Sequence, residues 1–266
     1  MRGRKGLCLR LMGMNDNAPY QILQSDVKMI NQNKPLSTLF MLMSVDGKIS
    51  TGPGDELDFD KDLPKIKGIK EGLQQYYDIE KTTDLFSLIS GKVLAKVGAN
   101  KKQENTAKLP VSFLVIDSKP HLNDMGIDNF LRKSKKLFII TTNKAHPAYA
   151  REGEDNLEII YYEGNIDFVD LFRRFKHDYG ISNLTIQTGG TLNTVFLRNN
   201  LIDKISIVVA PALIGGKDTP SLLDGDSLSS ISELEEIKAL KLIEVKELNN
   251  SYIHLKYEVI NDTMVE

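Results

Sequence analysis

Residues that could do chemistry lie at the ends of two predicted strands. An Asp-Gly-Lys turn, with Asp46 and Lys48, follows the apolar run at 36–45. A glycine pair, Gly189 and Gly190, follows the β-formers Leu-Thr-Ile and opens a predicted helix. In open α/β sheets the ligand crevice lies outside the carboxyl ends of the strands. Both turns are therefore placed where a ligand is expected, and backbone N–H groups at the glycine turn suit a pyrophosphate.

Each turn also has a purely structural explanation. An aspartate followed by a glycine, as at Asp46, is a common composition for a tight turn. A glycine pair at a strand–helix junction can reflect only a positive φ angle or a close approach between strand and helix. Spacing alone favours these explanations, so a functional prediction depends on the surrounding sequence.

Hydrophobic periodicity predicts an alternating α/β chain around the two turns. Runs of strand length and β-forming composition occur at 36–45, 83–91, 111–117, 137–142, 157–161, 184–186 and 205–213. Helical spacing occurs at 64–81, after Tyr161, and after the glycine pair, where Thr191 is the predicted N-cap. Two alternating segments, 240–248 and 252–260, flank an Asn-Asn turn and predict an antiparallel hairpin.

Composition and charge limit the classes of partner. The 266 residues carry a formal net charge of -2 and 41% hydrophobic residues, which indicates no nucleic-acid or membrane partner. The single cysteine, Cys8, excludes an internal disulfide framework and a CxxC metal site, and the four histidines lack ligand spacing. No metal is therefore predicted, and a cytoplasmic location is expected.

The first 33 residues differ from the rest of the chain. They are basic at the start, and Arg10 interrupts the one apolar run, so the segment is too short and too charged for a signal peptide or a membrane span. We predict that residues 1–33 are an extension, either disordered or an artefact of the chosen start. One domain is expected over residues 34–262, because no repeat, low-complexity tract or linker interrupts them.

The sequence around the two turns resembles one family. The block FMLMSVDGKIS at 40–50, and the block GGTLN with the later APALIGGKDTPSLLDG, are similar to the reductase domain of riboflavin biosynthesis, which follows the pyrimidine deaminase in RibD-type proteins. Their order and separation fit that domain. The resemblance implies a dihydrofolate-reductase-like α/β fold, with three αβα layers and a mostly parallel central sheet closed by the C-terminal antiparallel hairpin. The deaminase signature, H-x-E with P-C-x-x-C, does not occur in the 266 residues.

The same resemblance implies an activity and a set of site residues. It implies an NADPH-dependent reductase that transfers a hydride to C1 of the ribosyl group of 5-amino-6-(5-phosphoribosylamino)uracil, a small-molecule substrate, and it implies a homodimer. Asp46 and Lys48 would orient and protonate the substrate. The implied cofactor-binding residues are Ser90, Gly91, Thr141, Thr142, Thr188, Gly189, Gly190 and Thr191, and the implied substrate-binding residues are Ser44, Asp46, Lys48 and Lys96. Lys144 and Arg151 are candidate partners for a 2′-phosphate.

Departures from the family pattern leave the substrate open. Lys96 stands where a substrate-contacting aspartate is usual, Lys92 where a threonine is usual, and Thr188 where a glutamate is usual. Exchanging a carboxylate for an ammonium changes which charged groups a pocket accepts. Two alternatives to the pathway reductase therefore remain. One is a paralogous NADPH reductase of another small carbonyl, imine or pterin-like substrate, and the other is a non-catalytic dinucleotide-binding module.

Overall fold

The computed structural model describes residues 33–103, 107–262 and 264–265. The prediction for residues 1–33 falls outside this part of the chain, Asn33 excepted, and it stays a prediction. Within the described residues, no helix combines the length and the hydropathy that a membrane span needs.

One nine-stranded sheet forms the centre of the structure, in the order β5-β4-β3-β2-β6-β1-β7-β9-β8. The strands are β1 Leu36–Ser44, β2 Phe86–Ser90, β3 Ser112–Ile116, β4 Leu137–Thr141, β5 Leu157–Tyr161, β6 Asn183–Ile186, β7 Lys204–Ala210, β8 Ala239–Glu247 and β9 Ile253–Ile260. Neighbouring strands from β5 to β7 pair in parallel, whereas β9 is antiparallel to both β7 and β8. The predicted parallel sheet with its closing hairpin is confirmed.

Helices cover both faces of this sheet. They are α1 Phe59–Asp62, α2 Gln74–Glu80, α3 Gly91–Lys96, α4 Asp124–Lys133, α5 Phe168–His177 and α6 Gly190–Arg198. On one face, α5 and α6 bury Phe172, Phe175 and Phe196 against the strands. On the other face, α1 and α2 pack near β1 and β7, while α3 and α4 pack near β3 and β4. The three-layer arrangement predicted from the resemblance is therefore confirmed.

Two local predictions were wrong. The helix predicted over 64–81 is regular only from Gln74 to Glu80, because Gly68 has a φ of +88° and interrupts the helical backbone after a 3₁₀ turn at Leu63–Lys65. The N-cap of α6 is Gly189 rather than Thr191. Gly189 has the extended backbone that an N-cap requires, with φ -78° and ψ 163°, whereas Thr191 already lies in the first helical turn.

Candidate active-site cleft

A cleft of about 370 Å³ opens at the edge of the sheet where the parallel strands end. It is bounded by the turns that follow β1 and β3, by the starts of α3 and α6, and by residues 220–224. Of the predicted site residues, the cleft brings together Ser90, Lys96, Gly189, Gly190 and Thr191. A larger surface depression of about 790 Å³ beside α4 contains neither motif block, so the smaller cleft is the candidate site.

Asp46 is exposed at the surface, and its carboxylate holds a loop. Its carboxylate accepts hydrogen bonds from the Ser44 hydroxyl at 2.6 Å, from the Gly215 N–H at 2.6 Å and from the Ile214 N–H at 3.1 Å. The Ser44 hydroxyl and the Gly215 N–H lower the pKa of Asp46 to about 2. Ser44 is buried and its oxygen also accepts from the Lys48 N–H, so the turn is internally bonded.

Lys48 binds the same loop further along. Its ammonium donates to the Thr219 carbonyl at 2.9 Å and to the Ser221 hydroxyl at 3.2 Å. Backbone hydrogen bonds from Ile49 to Pro220 and from Leu222 to Gly47 complete this contact. The 212–224 loop is therefore fixed by both charged residues of the Asp-Gly-Lys turn, and it forms one side of the cleft.

Acid should weaken the Asp46 contact in a defined pH range. The folded pKa of about 2 lies below the ordinary 3.8, so the ionised carboxylate stabilises the fold fully above pH 3.8, and this contribution is lost as the pH falls towards 2. We expect Asp46→Asn to be less stable than the parent at pH 7 and equally stable near pH 2. Urea unfolding of both proteins at the two pH values measures this. An equal difference at both pH values would show that the charge of Asp46 is unimportant.

The two glycines of the second motif have different environments. A Cβ atom added to Gly190 would lie 2.3 Å from the Ser221 carbonyl oxygen and 2.5 Å from an Asp224 carboxylate oxygen. A Cβ atom added to Gly189 would meet nothing within 4 Å. Gly190 is therefore required by packing against the 212–224 loop. Gly189 lines the cleft, and neither its φ angle nor the surrounding protein requires a glycine there.

Ser90 and Gly91 form the start of α3 at the end of β2. The Ser90 hydroxyl accepts from the Val93 N–H and caps the helix. Gly91 is buried, and a Cβ atom there would lie 2.3 Å from the Asp117 carboxylate. The predicted cofactor-binding role of Ser90 is compatible with its place in the cleft, whereas Gly91 is explained by the approach of Asp117.

Asp117, which follows β3, organises a cluster that the sequence analysis did not identify. Its buried carboxylate contacts His146 Nε2 at 3.1 Å and His121 Nδ1 at 2.9 Å, and it accepts from the N–H groups of His121 and Leu122. Burial alone would raise its pKa, but the hydrogen bonds from His146 and from the two backbone N–H groups outweigh burial and lower the pKa. His121 lines the cleft. The sequence signal that could have identified Asp117 is its position directly after β3, since the carboxyl ends of neighbouring parallel strands lie at this edge of the sheet.

The three remaining predicted threonines do not line the cleft. Thr141 is buried and its hydroxyl donates to the Asp117 carbonyl. The N–H of Thr142 donates to the Ser118 hydroxyl. Thr188 is also buried and bonds to Asn193 at 2.5 Å, which in turn holds the Leu222 carbonyl. The hydroxyls of Thr141 and Thr188 therefore join neighbouring segments, and the cofactor-binding role of the three residues stays a prediction.

The predicted cations divide into two groups. Lys144 lies over the ring of Tyr161, and Arg151 pairs with Asp128 at 2.7 Å; neither residue lines the cleft. Lys96 does line it, with its ammonium 3.0 Å from the Ser50 hydroxyl and 3.4 Å from the Asp58 carboxylate. Lys92 and Lys119 also line the cleft and were not assigned a ligand from the sequence.

Comparison with known proteins identifies the family. The family model for the RibD C-terminal domain matches residues 35–254. The 2,5-diamino-6-ribosylamino-4(3H)-pyrimidinone 5′-phosphate reductase of Methanothermobacter thermautotrophicus is 26% identical over 207 residues, which cover 75% of this chain and 88% of that protein. 

Solved structures share the fold. RibD of Acinetobacter baumannii superposes with a TM-score of 0.58 at 17% identity, covering 90% of this chain and 62% of that one. The riboflavin biosynthesis reductase Rib7 of Saccharomyces cerevisiae superposes with a TM-score of 0.55 at 16% identity, covering 92% of this chain and 100% of that one. The chain thus spans about three fifths of the length of the RibD proteins it matches, 59% in Actinobacillus pleuropneumoniae. Through the family match and the two motif blocks, the chain belongs to the RibD C-terminal domain family, the reductase family of riboflavin biosynthesis.

Proposed function

We propose that the protein is an NADPH-dependent reductase of a ribosylamino-pyrimidine 5′-phosphate. The observation that carries this proposal is the open space at Gly189 within the cleft. Neither backbone strain nor a collision with the protein explains why this residue is a glycine. We therefore attribute the glycine to the close approach of a ligand group such as a pyrophosphate. The family match indicates the reaction class, and the cleft is the site that we propose for the cofactor and the substrate.

The residues present fit a nicotinamide dinucleotide. Gly189, Thr191 and Ser90 would hold its pyrophosphate and neighbouring groups across the ends of β6 and β2. When bound, the reduced nicotinamide supplies the hydride. The chain itself contributes binding, orientation and charge.

Reduction also requires a proton, and Lys48, which holds the loop at one side of the cleft, is the donor that we propose. In its open-chain form the ribosylamino group has a C=N bond. A hydride added to C1 therefore leaves a nitrogen that must take up a proton. Asp46, with a pKa of about 2, carries no proton at neutral pH. The ammonium of Lys48 donates two hydrogen bonds to the 212–224 loop, which leaves a third N–H for a substrate. We assign orientation and proton delivery to Lys48, and support of the loop to Asp46 and Ser44.

The preference for NADPH over NADH is assigned to the end of the cleft near β2 and β3. Lys92 and Lys119 line the cleft there, and His121 is fixed between them and Asp117 by its Nδ1 contact. An anionic 2′-phosphate suits such a group of donors, because phosphate oxygens accept charge-assisted hydrogen bonds. Lys144 and Arg151, the candidates from the sequence, are replaced in this role because both lie outside the cleft.

Two substrates are to be distinguished. The Methanothermobacter relative is named for the 2,5-diaminopyrimidinone, whereas a structural neighbour from Thermotoga maritima is described as a deaminase and 5-amino-6-(5-phosphoribosylamino)uracil reductase. The two compounds differ at C2 of the ring, an amino group in one and an oxo group in the other. We propose the diaminopyrimidinone as substrate, because the Methanothermobacter relative, which is 26% identical over 75% of this chain, is named for it.

Oxidation of NADPH in the presence of each pyrimidine tests the proposed function. We expect turnover with the diaminopyrimidinone 5′-phosphate, and slower turnover with the uracil compound. Turnover with neither compound, together with NADPH oxidation by another small imine or carbonyl, would support the paralogous reductase. Tight NADPH binding without oxidation by any of them would support a non-catalytic module. A cytoplasmic location stays a prediction from composition.

A homodimer is proposed from the C-terminal hairpin. All nine residues of β8 are exposed, and Leu240, Leu242, Ile243 and Val245 are each between 44% and 57% accessible. An exposed edge strand of this apolar content, with Leu240, Leu242 and Val245 on one face, is an association site. We propose that a second copy of the chain covers it.

Introducing a charge on this strand should separate the subunits. We expect Ile243→Glu to weaken dimerisation by about 100-fold or more, because a buried carboxylate would be left without a partner. Light scattering across a range of protein concentrations measures the mass. Val169→Glu on α5, which is 45% accessible and lies on another element, is the matched control. A parent protein that is monomeric at every concentration would contradict the proposal.

A further inference from the structure

Lys96 is the one departure from the family pattern whose charge is compensated inside the structure. The usual residue is an acid, and the substitution alone would bring a free ammonium to the cleft. Here the ammonium lies 3.4 Å from the Asp58 carboxylate and 3.0 Å from the Ser50 hydroxyl. The side chains of the pair are only 12% and 14% exposed. The charge is therefore neutralised within the protein, by a carboxylate that a different segment contributes.

Asp58 belongs to a segment that is also anchored by the buried ring of Phe59 and by the hydrogen bond from the Tyr77 hydroxyl to Asp60. One of its oxygens accepts from the Asp60 N–H and caps α1, while the other faces Lys96. Its own N–H donates to Asp62, and the Ser50 hydroxyl donates to the carbonyl of Leu57. Residues 50–62 are also tied together by these short-range bonds. Lys96 joins two points of this segment, Ser50 and Asp58, to helix α3.

We infer that Lys96 is a positioning residue, not a substrate ligand: its ion pair with Asp58 fixes residues 50–62 against α3 and so holds the α3 residues that line the cleft in place. The inference rests on the proposed function for its effect on the reaction, although the contact itself does not. Buried pairs of this kind are strongly destabilising to break, since one charge is left unpaired. It follows that Lys96→Asp does not restore the family site, because it would place two carboxylates together.

A charge-swap series tests this. The variants are Lys96→Met, Asp58→Asn, and the double substitution Lys96→Asp with Asp58→Lys; the control is Lys65→Met, which removes an exposed pair with Asp62 in the same segment. Asparagine is as good an N-cap as aspartate, so Asp58→Asn removes the charge and keeps the cap of α1. Hydrogen exchange of the amides of residues 57–62 reports the order of the segment, and steady-state kinetics reports the site.

We expect exchange in residues 57–62 to become about tenfold faster or more in Lys96→Met and Asp58→Asn, to return towards the parent rate in the swap, and to stay unchanged in Lys65→Met. KM for the pyrimidine should rise about tenfold in the first two variants, with kcat nearly constant, because binding is lost equally in the ground and transition states. A raised KM with parent-like exchange would overturn the inference and make Lys96 a direct ligand; unchanged exchange and KM would overturn it too. If the parent shows no turnover, the exchange measurement still tests whether the Lys96–Asp58 pair orders the segment, and only the proposed function has failed.

Discussion

Gly189→Val is expected to abolish useful NADPH binding while leaving the fold intact. The backbone of Gly189 is extended, with φ -78°, and no protein atom lies within 4 Å of its Cβ position, so valine meets no collision in the free protein and costs only the poorer N-cap, about 1 kcal/mol. In the complex, the side chain would occupy the space proposed for the pyrophosphate. We expect affinity to fall by about 100-fold, or about 2.7 kcal/mol. Titration calorimetry with NADPH measures the affinity, and thermal unfolding measures the fold.

Gly190→Ala is the matched comparison for this prediction. Its Cβ atom would collide with Ser221 and Asp224, so we expect a loss of about 1–3 kcal/mol of stability through displacement of the 212–224 loop. The two variants together distinguish a glycine that contacts the ligand, Gly189, from a neighbouring glycine that is required by packing, Gly190. Parent-like NADPH affinity in a folded Gly189→Val protein would show that the dinucleotide does not lie across the end of β6.

Replacing both lysines of the β2–β3 end should remove the preference for NADPH. We expect Lys92→Gln with Lys119→Gln to weaken NADPH binding by about 30-fold, or about 2 kcal/mol, and to leave NADH binding nearly unchanged. The reason is that only NADPH carries the 2′-phosphate these ammonium groups would contact. Dissociation constants for both cofactors measure the selectivity.

Lys144→Gln provides the control for a lost lysine. Lys144 lies over the ring of Tyr161 outside the cleft, so its replacement should change neither cofactor affinity. Equal weakening of NADPH and NADH by the double substitution would contradict the assignment, because it would mean that the two lysines contact a part common to both cofactors.

The strands could be predicted because their local sequence and their tertiary environment agree. The run at Leu157–Tyr161 was predicted to the residue, and the parallel strands share its β-branched, apolar composition. The helix over 64–81 could not be predicted correctly because its apolar spacing continues through Gly68, whose positive φ angle is set by the fold. Pattern alone does not report the conformation of one glycine.

The site could be predicted only as far as the strand ends determine it. Gly189 and Ser90 reach the cleft because parallel strands deliver them to one edge. The pairing of Lys96 with Asp58 joins residues from separate loops and a helix, and no periodic signal links them. Thr141 also ends a strand at this edge, but its side chain is buried and bonds to the Asp117 carbonyl, and the strand pattern does not report this.

The most direct test of the account follows the hydride itself. The protein would be incubated with the diaminopyrimidinone 5′-phosphate and NADPH that carries deuterium at C4 of the nicotinamide, on the transferred side, and the product analysed by mass spectrometry and proton NMR. The account predicts a ribityl product with one deuterium at C1 and one equivalent of oxidised cofactor. A product without deuterium, or NADPH that stays reduced while the same preparation binds it tightly, would contradict the assignment of this cleft as a reductase site.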